Sequence, residues 1–267
     1  MNTVRKKSLL PEINKIVIAA GKYIRRESKH IRPNDGKDKA YHDPVSFVDH
    51  RAEELLVNGL SSLLPDAGFI AEEGTGERNP DGYNWVIDPL DGTLNFLHGI
   101  PVYSISVALA ENAHLLSGVV YEINRNEIFY AEKGTGAYCN GKAIRHSNIL
   151  RMENSLFATG FPFRDYSRIK QYLSLLQLMM NETKGIRRMG SAAVDLCYTA
   201  AGRFEGYFEY GLKPWDIAAG IVIAREAKCI VSDFQENENN WSGEDILAVN
   251  PYLYHEFVNF VQKHFKI

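Results

Sequence analysis

Two aspartates three residues apart, Asp88 and Asp91, stand in the run Trp85-Val86-Ile87-Asp88-Pro89-Leu90-Asp91-Gly92-Thr93-Leu94-Asn95-Phe96-Leu97-His98-Gly99-Ile100-Pro101. The β-rich segment Trp85-Val86-Ile87 is expected to deliver Asp88 to a turn that Pro89 fixes, with Gly92-Thr93 opening a short helix. Two carboxylates so placed can converge on one hard cation, which prefers oxygen ligands. Backbone N–H groups around Gly92 and Thr93 would face an anion, as helix N-termini do. A cation and an anion side by side make a metal-dependent phosphate site. The same composition also makes an ordinary polar turn between apolar segments, and spacing alone leaves both readings open.

Other acids share this context, each where an apolar strand or loop passes into a helix. Glu72 and Glu73 end the segment Phe69-Ile70-Ala71, and Asp216 follows Pro214-Trp215 at the start of an apolar helix. In open α/β structures ligands gather at strand ends. Singly, each acid has a structural reading. Asp216 suits a helix N-cap, Glu73 beside Gly74 suits solvent, and Asp49 suits an early helical turn. Jointly they read differently, because a buried cluster of acids is untenable without cations. No nucleophile elbow, Cys/His pair or Walker-type loop is present. His98, the one histidine in the main run, lies at a helix exit and reads as structural. The chemistry on offer is water activated by metal.

The elements that must position these residues follow from periodicity. Leu9, Ile13, Ile16, Val17, Ala20 and Ile24 predict a helix within residues 8 to 29. A polar loop is expected from Arg32 to Asp43, then a helix from Ser46 to Leu64 and a strand over Gly68–Ala71. Strands are expected at 104–109, 117–121 and 127–130, with a tight turn at Asn140-Gly141. The second half alternates: strand 155–159, helix 166–181, helix 192–201, strand 205–209, helix 216–227, strand 246–249 and helix 253–264. Glu236 to Asn240 reads as a solvated hairpin loop. Such an order suggests two layered α/β halves.

Bulk properties set outer bounds. The chain has 267 residues, 45% hydrophobic and 24% charged, ordinary for a soluble globular protein. A net charge of -3 gives no general attraction to nucleic acid or anionic membranes. An anionic substrate would therefore need bound cations or local groups. The apolar runs are too short to span a bilayer. Cys139, Cys197 and Cys229 are far apart, fit a reducing cytoplasm, offer no zinc spacing and read as core filler.

Residues 85–101 and the segment Trp215-Asp216-Ile217-Ala218-Ala219-Gly220 resemble the two signatures of the inositol monophosphatase family. Satellite matches occur at Ser46-Phe47-Val48-Asp49, Ala71-Glu72-Glu73-Gly74, Thr159-Gly160-Phe161-Pro162-Phe163 and Arg187-Arg188-Met189-Gly190-Ser191-Ala192-Ala193. The last two are most similar to the bacterial branch. The resemblance implies an α/β fold, an αβαβα sugar-phosphatase sandwich. It also implies one domain over 1–267, with halves near 1–145 and 146–267, that forms a homodimer. It implies two to three Mg²⁺ per site and sensitivity to Li⁺. By position it puts Glu72, Asp88 and the Leu90 carbonyl at a first metal, with Asp88, Asp91 and Asp216 at a second and a looser third near Glu72. Thr93 with Asp49 would orient the attacking water. Gly92 and Thr93 would hold phosphate, and Glu209 with Gly190, Ser191 and Ala192 would contact substrate hydroxyls, beside Asp91 and Asp216. Lys39 matches a lysine of the bacterial members, with a less secure placement. Ala71 and Leu94 depart from the common Gly and Thr without removing a metal ligand.

The expected activity is hydrolysis of a phosphate monoester, myo-inositol monophosphate foremost, in the cytoplasm. Fructose-1,6-bisphosphate, NADP and 3′-phosphoadenosine phosphate are alternative substrates. A regulatory protein binding the transcription machinery is the alternative from another class. The expected partner is a small phosphorylated polyol or sugar, with no membrane and no nucleic acid.

Overall fold

The computed structural model describes residues 8–40, 43–163, 165–241 and 244–265, with backbone alone at 38–40 and 43–45. In chain order the elements of the first part are α1 (Leu10–Glu27), β1 (Lys37–Ala40), β2 (Asp43–Val45), α2 (Phe47–Leu63), β3 (Gly68–Ala71), β4 (Tyr83–Asp91), α3 (Thr93–Leu97), β5 (Ser104–Glu111), β6 (His114–Glu122), β7 (Glu127–Glu132), β8 (Ala137–Cys139) and β9 (Lys142–Ile144). Then come β10 (Leu156–Thr159), α4 (Ile169–Glu182), β11 (Gly185–Arg187), α5 (Ala192–Ala200), β12 (Gly206–Tyr210), α6 (Pro214–Glu226), β13 (Ile230–Ser232), β14 (Asp245–Val249) and α7 (Tyr254–Phe265).

Strands β3 to β9 form a seven-stranded sheet in sequence order, and the second sheet runs β11-β10-β12-β14-β13. Helices α1 and α2 lay Ile13, Val17, Ile24, Leu56 and Leu60 on one face of the large sheet, against Trp85, Ile87 and Val107. Helices α5 and α6 fill the space between the sheets, joining Val86 and Val120 to Tyr207 and Ala248 in one core. Helices α4 and α7 cover the outer face of the small sheet, packing Leu175, Phe257 and Val261 on Phe157, Phe208 and Leu247. The order of layers is αβαβα. The two central helices are apolar nearly all round, as helices enclosed on both sides must be.

Four details differ from the sequence reading. The turn expected at Asp88 is instead strand: β4 continues to Asp91, because Asp88 pairs with Ser106 and Asp91 with Ser104 on β5. The polar loop from Arg32 holds a single 3-10 turn at Pro33–Asp35 and the β1–β2 hairpin. Helix α4 starts at Ile169 because the Asp165 carboxylate first accepts the Ser167 N–H and holds a turn. Strands β11 and β13 went unseen. Each has three residues and lies at a sheet edge, too short to show alternation. Strands β8 and β9 are expected only through the turn between them; the other elements fall within about three residues of where periodicity put them. Asn140-Gly141 makes the β8–β9 turn with positive φ at both residues, 48° and 79°. His98 is exposed and its N–H closes α3 on the Leu94 carbonyl. The three cysteines are free, with Cys197 and Cys229 buried and Cys139 half-buried.

Candidate active site

A bulge in β4 creates the site. From Asp88 to Asp91 the strand advances three residues while β5 retreats two, from Ser106 to Ser104. In a regular strand, positions three apart point to opposite faces. One extra residue resets that parity, so both aspartates face the central helices. Pro89 sits in this irregular stretch, where a missing N–H costs no ladder bond. The strand opposite confirms the direction: Ser104 Oγ lies 3.2 Å from Ser191 Oγ of the α5 start, and Ser106 donates to the Trp215 carbonyl of α6 at 3.2 Å.

Each acid is then held by a neighbouring element. Asp88, 2% exposed, accepts the Leu90 N–H at 2.9 Å and shares a hydrogen bond with Glu72 at the end of β3. Asp91 accepts from Ser191 Oγ at 2.6 Å and from the Ala193 N–H at 2.8 Å, which fixes it to the first turn of α5. Asp216 accepts the Lys213 N–H at 2.7 Å. The N-cap expected at Asp216 is instead Lys213: the helix begins at Pro214, and Asp216 stands at N3, where its carboxylate reaches back to the N-cap N–H and leaves its other oxygen at the cavity.

The loop carrying Glu72 is anchored from behind. The fully buried Glu53 of α2 accepts the N–H groups of Glu73 and Thr75, both at 2.8 Å. Asp49, also buried, takes the Ser46 N–H and hydroxyl on Oδ2 and the Thr93 hydroxyl on Oδ1 at 2.9 Å. Gly92 adopts φ 95°, the left-handed region, and a Cβ there would press on the carbonyls of Val102 and Gly190. Asn95 bridges the same two segments, donating to the Met189 and Val102 carbonyls at 2.8 Å each.

Glu72, Asp88, Leu90, Asp91, Gly92, Thr93, Gly190, Ser191, Ala192, Glu209 and Asp216 all line one cavity of about 160 Å³. That volume is on the scale of a six-membered ring. Asp49 stands behind the wall and touches Thr93. The side chain of Lys39 lies outside the described residues. Sequence reasoning gave no site role to eight further wall residues: Leu94, Gly160, Phe161, Phe163, Arg188, Asp195, Gly211 and Leu212. The Arg188 guanidinium sits over both rings, 5.4 Å from Phe161 and 5.6 Å from Phe163. Asp195 had a legible signal, as the one acid in the apolar stretch 192–200.

The electrostatics are those of crowded acids. Burial, then the charges of Glu72, Asp91 and Asp216, push the Asp88 carboxyl well above the usual range. Burial and Asp216 raise Asp91 to about 7, against the pull of its Ser191 and Ala193 donors. Burial raises Glu209 to about 8, opposed by the Tyr207 hydroxyl, which donates to Oε2 at 2.5 Å. Burial also raises Asp49, with its Ser46 bonds opposing. Among the described residues no group of three His, Cys, Asp or Glu side chains forms a ready-made metal cage. The acids instead stand around the cavity wall, tied back by the donors above. As a donor set they still fit a hard divalent cation, being all oxygen and mutually repelling unless protons or cations intervene.

Fold and cavity together define a layered α/β protein with an acid-lined site between its two sheets. The chain belongs to the inositol monophosphatase family, whose sequence profile matches residues 6–264. A putative Nus factor SuhB of Neisseria meningitidis serogroup B is 40% identical over 246 residues, covering 92% of this chain and 94% of that protein. An inositol-1-monophosphatase of Mesorhizobium japonicum is 34% identical over 257 residues, covering 96% and 97%. The extragenic suppressor protein suhB of Bartonella henselae superimposes with a TM-score of 0.90 at 35% identity, over 96% of this chain and 98% of that one. No helix among the described residues is long and apolar enough to cross a membrane.

Proposed function

We propose that this chain is a Mg²⁺-dependent phosphatase whose substrate is a phosphorylated polyol, myo-inositol monophosphate foremost. The observation that carries the reading is the cavity wall, where, among the described residues, Glu72, Asp88, Asp91, Asp195, Glu209 and Asp216 face a single cation, Arg188. A phosphate dianion is repelled from such a wall unless divalent cations stand between. Glu72, Asp88 and the Leu90 carbonyl would hold one Mg²⁺. Asp88, Asp91 and Asp216 would hold a second, and a third would lie near Glu72. Bound there, Mg²⁺ supplies charge neutralisation for the phosphoryl oxygens, acidifies water and stabilises the leaving alkoxide.

The remaining work falls to the chain's own groups. The N–H groups of Gly92 and Thr93 orient the phosphate. The Thr93 hydroxyl donates its one proton to Asp49 Oδ1, so its oxygen is free to accept a hydrogen bond from the attacking water. As that water attacks, its proton passes to Thr93 while the Thr93 proton passes to the Asp49 carboxylate. Asp49, buried and fixed by the Ser46 N–H and hydroxyl, holds that hydroxyl in one orientation. Glu209, backed by Tyr207, receives hydroxyls of the polyol.

Asp88→Asn tests the reading. It preserves the shape of the wall but removes the charge shared by both cation positions. Turnover of a panel of phosphate monoesters with Mg²⁺ should fall by more than a thousandfold, the scale of electrostatic stabilisation by a preorganised site. Li⁺ should inhibit the unaltered protein. Substantial Mg²⁺-dependent turnover by the variant would sink the assignment.

A second reading draws on the relative named a putative Nus factor. A binding role toward transcription machinery would sit beside catalysis, since all four candidate metal acids are present at the cavity. Pull-down from cell extract by the Asp88→Asn protein tests whether such binding exists apart from turnover.

A further inference from the structure

Helix α5 is buried along its whole length and contains one acid, Asp195. That residue is 1% exposed, yet it contributes to the cavity wall. Its Oδ1 is sealed from solvent and has no hydrogen-bond partner. Buried carboxyl oxygens are normally satisfied, because leaving one unpaired forfeits its hydration for nothing. The helix offers no compensation: Thr199, one turn on, gives its hydroxyl to the Asp195 backbone carbonyl at 2.9 Å.

Its surroundings say what kind of partner is missing. Glu209 is the foremost charged neighbour of Asp195, followed by Asp91, with Arg188 opposing. The Tyr207 hydroxyl, which donates to Glu209, also feels the Asp195 charge. Asp195, Tyr207, Glu209 and Arg188 thus form one polar cluster at the cavity. Two acids side by side repel a phosphate. They suit hydroxyl groups, which can donate to a carboxylate or accept from a carboxylic acid.

We propose that Asp195 is a second hydroxyl-recognising group of this cavity, which together with Glu209 receives the ring hydroxyls of a polyol phosphate and discriminates against monoesters that lack them. A site built to bond hydroxyls rejects analogues without them, since its buried polar groups are then left unpaired. The inference rests on the polyol-phosphatase reading above.

Steady-state kinetics with Mg²⁺ on myo-inositol 1-phosphate and on 4-nitrophenyl phosphate separate the two. Asp195→Leu should raise KM for the inositol ester roughly tenfold, the loss of one or two neutral hydrogen bonds. Its kcat, and KM for the nitrophenyl ester, should stay within about twofold by the same reasoning. Asp195→Asn, whose amide still bonds a hydroxyl, should keep most of the preference. Should the Leu protein not fold, Asp195→Ala carries the same comparison with less bulk. If the unaltered protein hydrolyses both esters and the variants change neither KM, or both alike, Asp195 has no such role. If the unaltered protein hydrolyses neither, the phosphatase reading fails and this inference falls with it.

Discussion

Gly160 follows β10 and faces the Glu209 carboxylate across the cavity wall. A Cβ placed on Gly160 would lie 1.9 Å from Glu209 Cδ and Oε2 and 2.1 Å from Oε1. Restoring an ordinary contact of 3.4 Å requires the carboxyl group to move by about 1.5 Å. The movement cannot come cheaply, because Oε2 is held by the Tyr207 hydroxyl at 2.5 Å in a buried setting. Gly160 has no positive φ among the described residues, so alanine is tolerated by the backbone and the effect is steric alone. Gly160→Ala should therefore displace Glu209 from its substrate position. With its carboxyl raised to about 8, Glu209 offers neutral hydrogen bonds, each contributing about 0.5–1.5 kcal/mol. Loss of one lowers kcat/KM for myo-inositol 1-phosphate by roughly 2- to 13-fold, at about 1.4 kcal/mol per decade. The nitrophenyl ester, which has no ring hydroxyls, should change by no more than about threefold on the same reasoning. Parallel assays of both esters, with thermal melting as a control for folding, decide the matter. An unchanged inositol phosphate kcat/KM in a folded variant would show that Glu209 does not recognise substrate from this position.

Two further outcomes follow from packing and charge. Gly118 of β6 lies against α6, where a Cβ would stand 2.4 Å from the Ala219 carbonyl oxygen and 2.8 Å from its Cα. Since these are backbone atoms that cannot rotate aside, Gly118→Ala should cost about 2–3 kcal/mol. It should then lower Tm by roughly 5–10 °C, and a shift below about 2 °C would refute the close approach. Glu209 binds its proton more tightly folded than unfolded, with its group raised from 4.5 to about 8. Between those values the folded state holds the extra proton, so this residue makes stability fall as pH rises. In chelator-treated protein Glu209→Gln should flatten the decline in Tm from pH 5 to pH 8. Equal slopes in both proteins would contradict it.

Some of this molecule could be read directly from its residues. Apolar spacing set α1, α2, α6 and α7 to within two or three residues, because each must bury one face or be enclosed altogether. The acids Glu72, Asp88, Asp91 and Asp216 could be singled out as well, since each follows an apolar segment at an element's end. Sequence alone also showed that this chain lacks a nucleophile elbow or phosphate loop, so metal and water remained.

What only the folded chain decided concerns direction and distance. The Asp88–Asp91 spacing of three is wrong for one face of a strand. It becomes right only through pairing with β5, whose register forces the bulge. Glu53 lies twenty residues before Glu73, and its grip on that loop depends on α2 packing behind β4. Gly160 and Glu209, like Asp195 and its neighbours, come together because α5, β10 and β12 meet at one wall. Local periodicity records which face a residue takes within its own element. It carries no information about which other element will face it, and that contact is where the specificity of this cavity arises.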